Sequence, residues 1–244
     1  MKTIILIPSR MASTRLPGKP LAIIGGKTMI QRVWEQAVDS NIGDVVVACS
    51  EPKIYDLIIN LGGKAVITDP NLPSGTDRIY SALRVIEQSI DFDYIINLQG
   101  DMPFIKPNQI KRVLEPLKNK YSIGTIATTL KKNEFLNPNV TKVMIEWEKN
   151  SIGKVKEFYR IKKNLEENTY HHVGIYSFTK NALMNFVKLP KSKNEILLNL
   201  EQYRVLDAGI SIGVIFEKNI PASIDTKDDL INAQNIIRSN NEKN

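Results

Sequence analysis

The chain has 244 residues, a length that fits one large α/β domain or one domain with an inserted lobe. Hydrophobic residues make up 42% of it, the ordinary share for a protein that buries a core, and this excludes an intrinsically disordered protein. The formal net charge of +7 favours anionic partners, but its spread in short clusters argues against a dedicated nucleic-acid-binding surface.

The cysteine content and the N-terminal sequence indicate the cellular compartment. Cys49 is the single cysteine, so an internal disulfide is impossible, and its apolar neighbours predict a small buried side chain rather than a nucleophile. The chain enters a strand at its start without the pattern of a signal peptide, and no apolar run reaches about 18 residues. We therefore expect a cytosolic protein.

The first predicted strand is the apolar run Ile4–Ile7, which Pro8 should end because proline has no N–H for a sheet ladder. The loop that follows cannot form a core. It carries hydroxyls and cations, among them Arg10, Ser13, Arg15 and Lys19.

This basic loop lies where open α/β sheets bind ligands, at the carboxyl end of a first buried strand. Guanidinium and ammonium groups together with backbone N–H groups suit a polyphosphate. The loop is not a Walker A motif, because Ser13 stands where that motif requires glycine and Pro20 follows the lysine. The alternative is a solvated basic loop without a ligand.

Two helices and two further strands alternate after this loop. Thr28 is a plausible N-cap for a helix whose apolar residues repeat from Met29 to Val38. The other predicted elements are a strand at Asp44–Cys49, a helix at Pro52–Leu61 ended by two glycines, and a strand at Lys64–Thr68. This alternation predicts a parallel sheet with helices on its faces.

A second polar loop, Asp69–Arg78, leads into a helix predicted at Ile79–Ser89. Ser74 and Gly75 precede that helix, and free N–H groups at a helix N-terminus attract an anion or a nucleotide oxygen. Arg78 adds a fork that binds carboxylates. The alternative is that Ser74 serves only as the helix cap.

The strand predicted at Tyr94–Leu98 ends in Gln99, Gly100 and Asp101. Asp101 is a suitable ligand for nucleotide-bound Mg²⁺, which takes one or two carboxylates plus phosphate oxygens. Gly100 lets a ligand approach the backbone closely. The alternative is an aspartate that serves only in a turn or at a cap.

The remaining elements alternate less regularly. Residues 131–169 are rich in Lys, Glu and Asn, and strand-like pieces at Lys142–Trp147 and Lys154–Phe158 predict an inserted hairpin lobe, too short for a core of its own. The other predicted elements are a helix at Pro107–Lys118 disturbed by Pro116, strands at Ile123–Leu130, Tyr170–Phe178 and Ile210–Phe216, and helices at Lys180–Val187, Glu195–Leu206 and Lys227–Arg238.

Seven motifs spread over nearly the whole chain point to one family. They are PSRMASTRLPGKPL at the start, SGTDR at Ser74–Arg78, NLQGDMPF at Asn97–Phe104, NPNVTKV at Asn137–Val143, HVGIYSF at His172–Phe178, LEQYRVL at Leu200–Leu206 and IDTKDDL at Ile224–Leu230. In these motifs and their order the chain resembles bacterial 3-deoxy-manno-octulosonate cytidylyltransferases, the CMP-Kdo synthetases. Other sugar-acid cytidylyltransferases share the first motif, whereas the later motifs, taken together, are more specific to this family.

The resemblance implies an α/β, Rossmann-like nucleotidyltransferase fold: residues 1–244 form one domain with a mostly parallel central sheet flanked by helices, and residues 131–169 form the hairpin lobe. It implies that CTP and 3-deoxy-manno-octulosonate (Kdo) give CMP-Kdo and pyrophosphate in the cytoplasm, for lipopolysaccharide biosynthesis, with Mg²⁺ as cofactor. It also suggests a homodimer in which the hairpin is the contact arm, and a protein that binds neither nucleic acid nor a membrane.

The resemblance implies site residues position by position. Arg10, Ser13, Arg15 and Lys19 would hold the triphosphate, and Ser74, Gly75 and Gln99 complete the nucleotide set. The sugar acid would contact Arg78, Gln99, Arg160, His172, Tyr176, Glu201 and Gln202. Asp101 and Asp225 would bind Mg²⁺ and act with Lys19 in catalysis. A parallel sheet could bring the two aspartates to one edge.

One segment departs from the family, which usually carries Phe-Ser-Arg followed by Ile-Pro. Here Glu157–Lys163 keeps Phe and Arg160 but has Tyr159 in place of Ser and no proline. Because a few polar contacts discriminate such substrates strongly, an 8-amino analogue of Kdo or another ulosonate stays open.

Further alternatives stay open as well. The chain could be a glycosyltransferase or another sugar nucleotidyltransferase of the same architecture, or, on charge alone, a nucleic-acid binder. His172 could be an ordinary strand histidine, and Glu201 and Gln202 one solvated helix turn. His171 is expected to be structural.

Overall fold

The structure is a computed structural model, and it describes residues 2–89, 91–148, 151–161 and 167–241. The strands are β1 (Thr3–Ser9), β2 (Ile23–Ile24), β3 (Lys27–Thr28), β4 (Gly43–Cys49), β5 (Lys64–Ile67), β6 (Tyr94–Asn97), β7 (Ile123–Thr128), β8 (Lys142–Trp147), β9 (Ile152–Tyr159), β10 (Thr169–Thr179) and β11 (Gly213–Phe216). The helices are α1 (Met29–Asp39), α2 (Pro52–Asn60), α3 (Gly75–Ile86), α4 (Pro107–Arg112), α5 (Lys180–Lys188), α6 (Lys193–Leu198), α7 (Tyr203–Leu206) and α8 (Lys227–Asn241).

The chain divides into two compact units. Unit A comprises Ile4–Asp91, Asn97–Pro107 and Pro221–Asn244, and unit B comprises Met1–Thr3, Phe92–Ile96 and Asn108–Ile220. Over the part of the chain that the structure describes, no helix is both long enough and apolar enough to cross a bilayer.

Unit A contains strands in the order β5-β4-β1, and β4 and β5 run parallel, as predicted. Strand β1 is buried along its length and continues through Pro8 to Ser9, two residues beyond the predicted end. Proline is tolerated at the end of a strand, where its missing N–H costs little. Thr28 caps α1 as predicted, because its hydroxyl accepts a hydrogen bond from the Gln31 N–H at 3.3 Å.

Helix α3 begins four residues earlier than predicted. Ser74 is its N-cap and accepts a hydrogen bond from the Asp77 N–H at 3.1 Å, so the helix starts at Gly75. The SGTDR motif therefore forms the cap and first turn of α3 rather than a loop ahead of it. This brings the first free N–H groups of the helix to the motif itself.

Unit B is mainly antiparallel, and here the prediction of a mostly parallel sheet is wrong. Strand β10 runs antiparallel to β7 and β8, and β9 runs antiparallel to β8 and β11, whereas β7 and β11 run parallel. Because β8 pairs with both β9 and β10, the strands β10-β7-β11-β9-β8 close on themselves. The described part of the predicted hairpin thus has both of its edges paired, which removes open edge strands.

Two predicted helices are interrupted. The helix predicted over Pro107–Lys118 ends at Arg112, and Pro116 starts a separate 3-10 turn, since proline cannot supply the helical N–H. The helix predicted over Glu195–Leu206 splits into α6 and α7, because Asn199 adopts the left-handed conformation with φ 51° and ends α6.

Candidate active site

The basic loop after β1 has a defined shape. Leu16 is buried in a cluster with Met29 and Ile224, which ties the middle of the loop to the core of unit A. The Ser13 hydroxyl accepts a hydrogen bond from the Leu16 N–H at 3.3 Å, so this predicted triphosphate ligand also shapes the turn. Gly18 has φ 69°, a conformation that glycine adopts without strain, and Lys19 then begins a short 3-10 turn.

Lys19 joins the two aspartates that the sequence predicted to meet. Its Nζ lies 2.6 Å from Asp101 Oδ2 and 2.9 Å from Asp225 Oδ1. Arg15 adds a second cation, with Nη2 at 3.0 Å from the same Asp225 oxygen. The structure therefore brings Asp101 and Asp225 to one place in unit A, although 124 positions separate them in the sequence (225 − 101).

Backbone contacts hold the two aspartates in position. The N–H of buried Ile224 donates to the Asp101 carbonyl at 2.9 Å and fixes one segment to the other. Asp229 Oδ2 accepts from the N–H groups of Asp225 at 3.0 Å and Thr226 at 2.8 Å, at the start of α8. Asp229 is thus a helix-capping residue, which leaves the Asp225 side chain to face the cations.

The charges of this cluster balance around Lys19. Burial alone would lower the pKa of Lys19, but the negative charges and hydrogen bonds of Asp101 and Asp225 raise it above its ordinary value. Two partly buried carboxylates that converge on one positive centre are the type of oxygen donor set that Mg²⁺ accepts together with phosphate oxygens. Among the described residues no group of three or more His, Cys, Asp or Glu side chains could hold a metal.

Ser74, Gly75 and Gln99 lie together in unit A. A Cβ on Gly75 would lie 3.5 Å from Gln99 Oε1 and 3.4 Å from Pro8, which shows how closely the start of α3 approaches the end of β1. Gln99 Nε2 donates to Asn97 Oδ1 at 2.9 Å and is thereby oriented. The backbone at Gly100 also lies close to the end of β1, since a Cβ at this position would lie 3.0 Å from the Pro8 carbonyl oxygen.

Arg78 is buried, with 2% of its surface exposed, and its guanidinium contacts a side-chain hydroxyl as well as backbone carbonyls. It donates to the Thr68 hydroxyl at 2.6 Å and to the Asp69 carbonyl at 3.1 Å. Burial, followed by the positive charge of the exposed Arg10, lowers the pKa of Arg78. These contacts favour a role for Arg78 in holding the segment after β5.

Three buried polar atoms of unit A escaped the sequence analysis. The Ser9 and Ser50 hydroxyls and Glu51 Oε2 have no hydrogen-bond partner within the described structure. Ser9 ends β1 and the other two follow β4, the neighbouring strand. Buried polar groups without protein partners commonly meet a ligand or water. The signal available in the sequence was their position directly at the carboxyl ends of two buried strands.

The predicted sugar-acid residues other than Arg78 and Gln99 belong to unit B. The His172 and Tyr176 rings have centroids 5.4 Å apart, and both side chains are buried. The Tyr176 hydroxyl has no hydrogen-bond partner in the described structure. Burial and then the negative charge of Glu201 raise the pKa of Tyr176.

Arg160 and Gln202 lie near the same turn of unit B. Arg160 Nη2 donates to the Asn199 carbonyl at 3.4 Å, and Nη1 donates to the Pro138 carbonyl at 3.0 Å. Gln202 is buried immediately before α7. The burial of Gln202 argues against the alternative that Glu201 and Gln202 form one solvated helix turn. The Lys162 and Lys163 part of the departing segment lies outside the described residues.

Comparisons with known proteins agree on one family. The family model described as "Cytidylyltransferase" matches residues 4–212. A 3-deoxy-manno-octulosonate cytidylyltransferase from Parvibaculum lavamentivorans is 41% identical over 95% of this chain and 91% of its own length. A Rickettsia bellii protein of the same name is 42% identical over 94% of this chain and 93% of its own.

Solved structures match over the full length too. A CMP:2-keto-3-deoxy-manno-octonic acid synthetase complexed with CTP is 32% identical, with a TM-score of 0.86 over 98% of this chain and 100% of that one. A 4-diphosphocytidyl-2C-methyl-D-erythritol synthase from Anaerococcus prevotii has a TM-score of 0.61 at 13% identity over 97% of this chain and 99% of its own, a likeness of fold alone.

Proposed function

Because the chain belongs to the cytidylyltransferase family, we propose that it transfers CMP from CTP to Kdo and releases pyrophosphate, as its relatives' names describe. The observation that carries this proposal is the cluster in which Lys19 joins Asp101 and Asp225, built from three of the family's motifs. We place the reaction in the cytoplasm, where CTP is made, as a step of lipopolysaccharide biosynthesis.

In the proposed reaction the anomeric hydroxyl of Kdo attacks the α-phosphorus of CTP in line, and pyrophosphate leaves. Arg10, Arg15 and Lys19 would neutralise the triphosphate, and Ser13 would contribute its hydroxyl. The Gly75 N–H at the start of α3 would donate a hydrogen bond to a nucleotide oxygen beside Ser74 and Gln99. Catalysis then depends on positioning and charge neutralisation rather than on a covalent intermediate.

Asp101 and Asp225 would hold Mg²⁺ in this proposal, supported by their convergence on one ammonium group. When bound, Mg²⁺ supplies positive charge to the phosphate oxygens. Lys19 would then shift its contact from the two carboxylates towards the triphosphate, since its raised pKa keeps it charged.

The sugar acid would bind through Arg160, His172, Tyr176, Glu201 and Gln202 of unit B. The buried, unpartnered Tyr176 hydroxyl supports a ligand at this place. The sequence also predicted Arg78 and Gln99 as contacts of the sugar acid; both belong to unit A, where the Arg78 guanidinium contacts the Asp69 carbonyl. A homodimer through the β8–β9 hairpin is also proposed, on the family resemblance.

The second candidate function concerns the sugar acid. The departure at Glu157–Lys163 is the reason to test an 8-amino analogue or another ulosonate beside Kdo. Pyrophosphate release measured over a matrix of nucleotides and sugar acids separates the two readings. Preference for UTP or GTP over CTP would instead indicate a different nucleotidyltransferase.

Three matched variants test the site. Asp101→Asn and Asp225→Asn should each lower kcat by about 100-fold or more, the order of loss expected for removing one charged group from such a site. Asp44→Asn is the control, because Asp44 is an exposed partner of Lys64 in the same unit. Circular dichroism should show that all three variants fold. Full activity of Asp225→Asn would refute its assigned role.

A further inference from the structure

The Thr125 hydroxyl occupies a crowded polar position in unit B. Thr125 lies in β7 and is fully buried. Its Oγ1 lies 2.8 Å from the Ile175 carbonyl oxygen, 3.3 Å from the Val173 carbonyl oxygen and 3.1 Å from His172 Nε2. A register shift of β10 between Val173 and Tyr176 accompanies this arrangement, and Thr125 pairs with Tyr176 across the shift.

The number of hydrogens on these groups determines which way the bonds run. A threonine hydroxyl has one hydrogen to donate, and carbonyl oxygens can only accept. The Thr125 hydrogen is therefore used on the Ile175 carbonyl, the nearest of the three partners. The contact with His172 then requires that Nε2 carries a hydrogen and donates it to Thr125. The other ring nitrogen, Nδ1, is left with a lone pair.

The surroundings keep this imidazole neutral and its Nδ1 available. Burial, with a smaller effect of His171, lowers the pKa of His172 to about 3. Within the residues that the structure describes, the bond to Thr125 is the one hydrogen bond of the His172 side chain. The Tyr176 ring lies obliquely against the His172 ring, with 5.4 Å between the ring centroids. The Tyr176 hydroxyl has no hydrogen-bond partner within the described residues.

We propose that Thr125 is a positioning residue that holds His172 as a hydrogen-bond acceptor through Nδ1, so that His172 and Tyr176 recognise a hydroxyl of the sugar acid rather than its carboxylate. A carboxylate has no hydrogen to offer to Nδ1 and would meet lone-pair repulsion, whereas a hydroxyl donates. A neutral imidazole also supplies no positive charge for an anion. The inference rests on the proposed function, which places the sugar acid against His172.

The first test does not depend on activity. The chain contains two histidines, so ¹⁵N NMR of histidine-labelled protein at pH 7 gives two ring systems, and His171→Gln assigns them. His172 should show a protonated Nε2 and an unprotonated Nδ1. Thr125→Val should give a mixture of tautomers, and Thr125→Ser should restore the single form. A wild-type His172 that is charged or protonated at Nδ1 overturns the proposal.

The second test measures substrate specificity. Thr125→Val should raise KM for Kdo about tenfold, the effect of one lost hydrogen bond, while Thr125→Ser stays near wild type and KM for CTP does not change. One deoxy analogue of Kdo, lacking the recognised hydroxyl, should have the same KM in wild type and Thr125→Val. An equal rise in the KM of both substrates, or a loss of the same size with every deoxy analogue, overturns the proposal.

The two tests separate this inference from the function on which it rests. If no ulosonate gives pyrophosphate release although NMR shows the expected tautomer, the proposed substrate fails and hydroxyl recognition fails with it. If Kdo is a substrate and the tautomer is the opposite one, the function stands and the inference alone fails.

Discussion

Lys142 offers the sharpest test of how unit B is held together. It is fully buried, and its Nζ donates to the carbonyl oxygens of Asn137 at 2.7 Å, Val140 at 3.0 Å and Arg160 at 2.6 Å. Burial lowers the pKa of this lysine, yet all three of its hydrogens have partners. Lys142→Met keeps the length of the side chain and removes the ammonium group.

The cost follows from the three carbonyls. Each buried acceptor left without a donor costs about 1–3 kcal/mol, and the desolvation penalty that disappears with the ammonium offsets part of the sum. We expect a net loss of about 3–5 kcal/mol in the free energy of unfolding. The freed Arg160 carbonyl should also loosen the segment that carries Arg160, so KM for the sugar acid should rise more than KM for CTP.

Urea unfolding monitored by circular dichroism and tryptophan fluorescence measures the effect, and Trp147 in the same strand contributes to the fluorescence signal. Lys156→Met is the matched control on the same hairpin, because the Lys156 ammonium is half exposed and pairs with exposed Glu146 at 3.1 Å. The control should change stability by less than about 0.5 kcal/mol. A loss below 1 kcal/mol for Lys142→Met would refute the reasoning.

The remaining predictions concern three other buried groups. Arg204→Met should cost about 3–5 kcal/mol in thermal or urea unfolding, because it leaves the buried Glu195 carboxylate, 2.6 Å from Arg204 Nη2, without its cation; restored stability in Arg204→Met with Glu195→Leu would confirm the cause. Burial raises the pKa of Cys49 to about 12, so a thiol reagent at pH 8 should label it in urea and leave it unlabelled in the native protein, and fast native labelling would contradict this. His172 is buried neutral with its pKa lowered to about 3, so the unfolded chain binds a proton that the folded chain excludes between about pH 6.5 and 3. The free energy of unfolding should therefore decrease as the pH is lowered through that window, and at pH 5 it should be about 2 kcal/mol below its value at neutral pH. His172→Leu should remove this part of the pH dependence.

The sequence alone supported the parts of the site that depend on short-range patterns. An apolar run followed by a basic loop indicated β1 and the residues around Lys19, and Thr28 was recognised as a cap from its position before a periodic segment. The sequence analysis expected Asp101 and Asp225 to meet, and the structure confirms that they do, through Lys19; Asp225, however, lies just before α8 rather than at the end of a strand. Hydrophobic period and cap chemistry act within a few residues, so they can be read without a fold.

The tertiary structure alone decided which partner each polar side chain takes. The Arg78 guanidinium, predicted from the sequence to bind a carboxylate, donates to the Asp69 carbonyl in the structure. The predicted helix breaks at Asn199, so that Arg204 can reach Glu195. Thr125 carried no signal in the sequence, since its contact with His172 joins residues 47 positions apart on neighbouring strands. Such pairings depend on strand register and on the competition among distant partners for each buried hydrogen bond, and local sequence does not encode that competition.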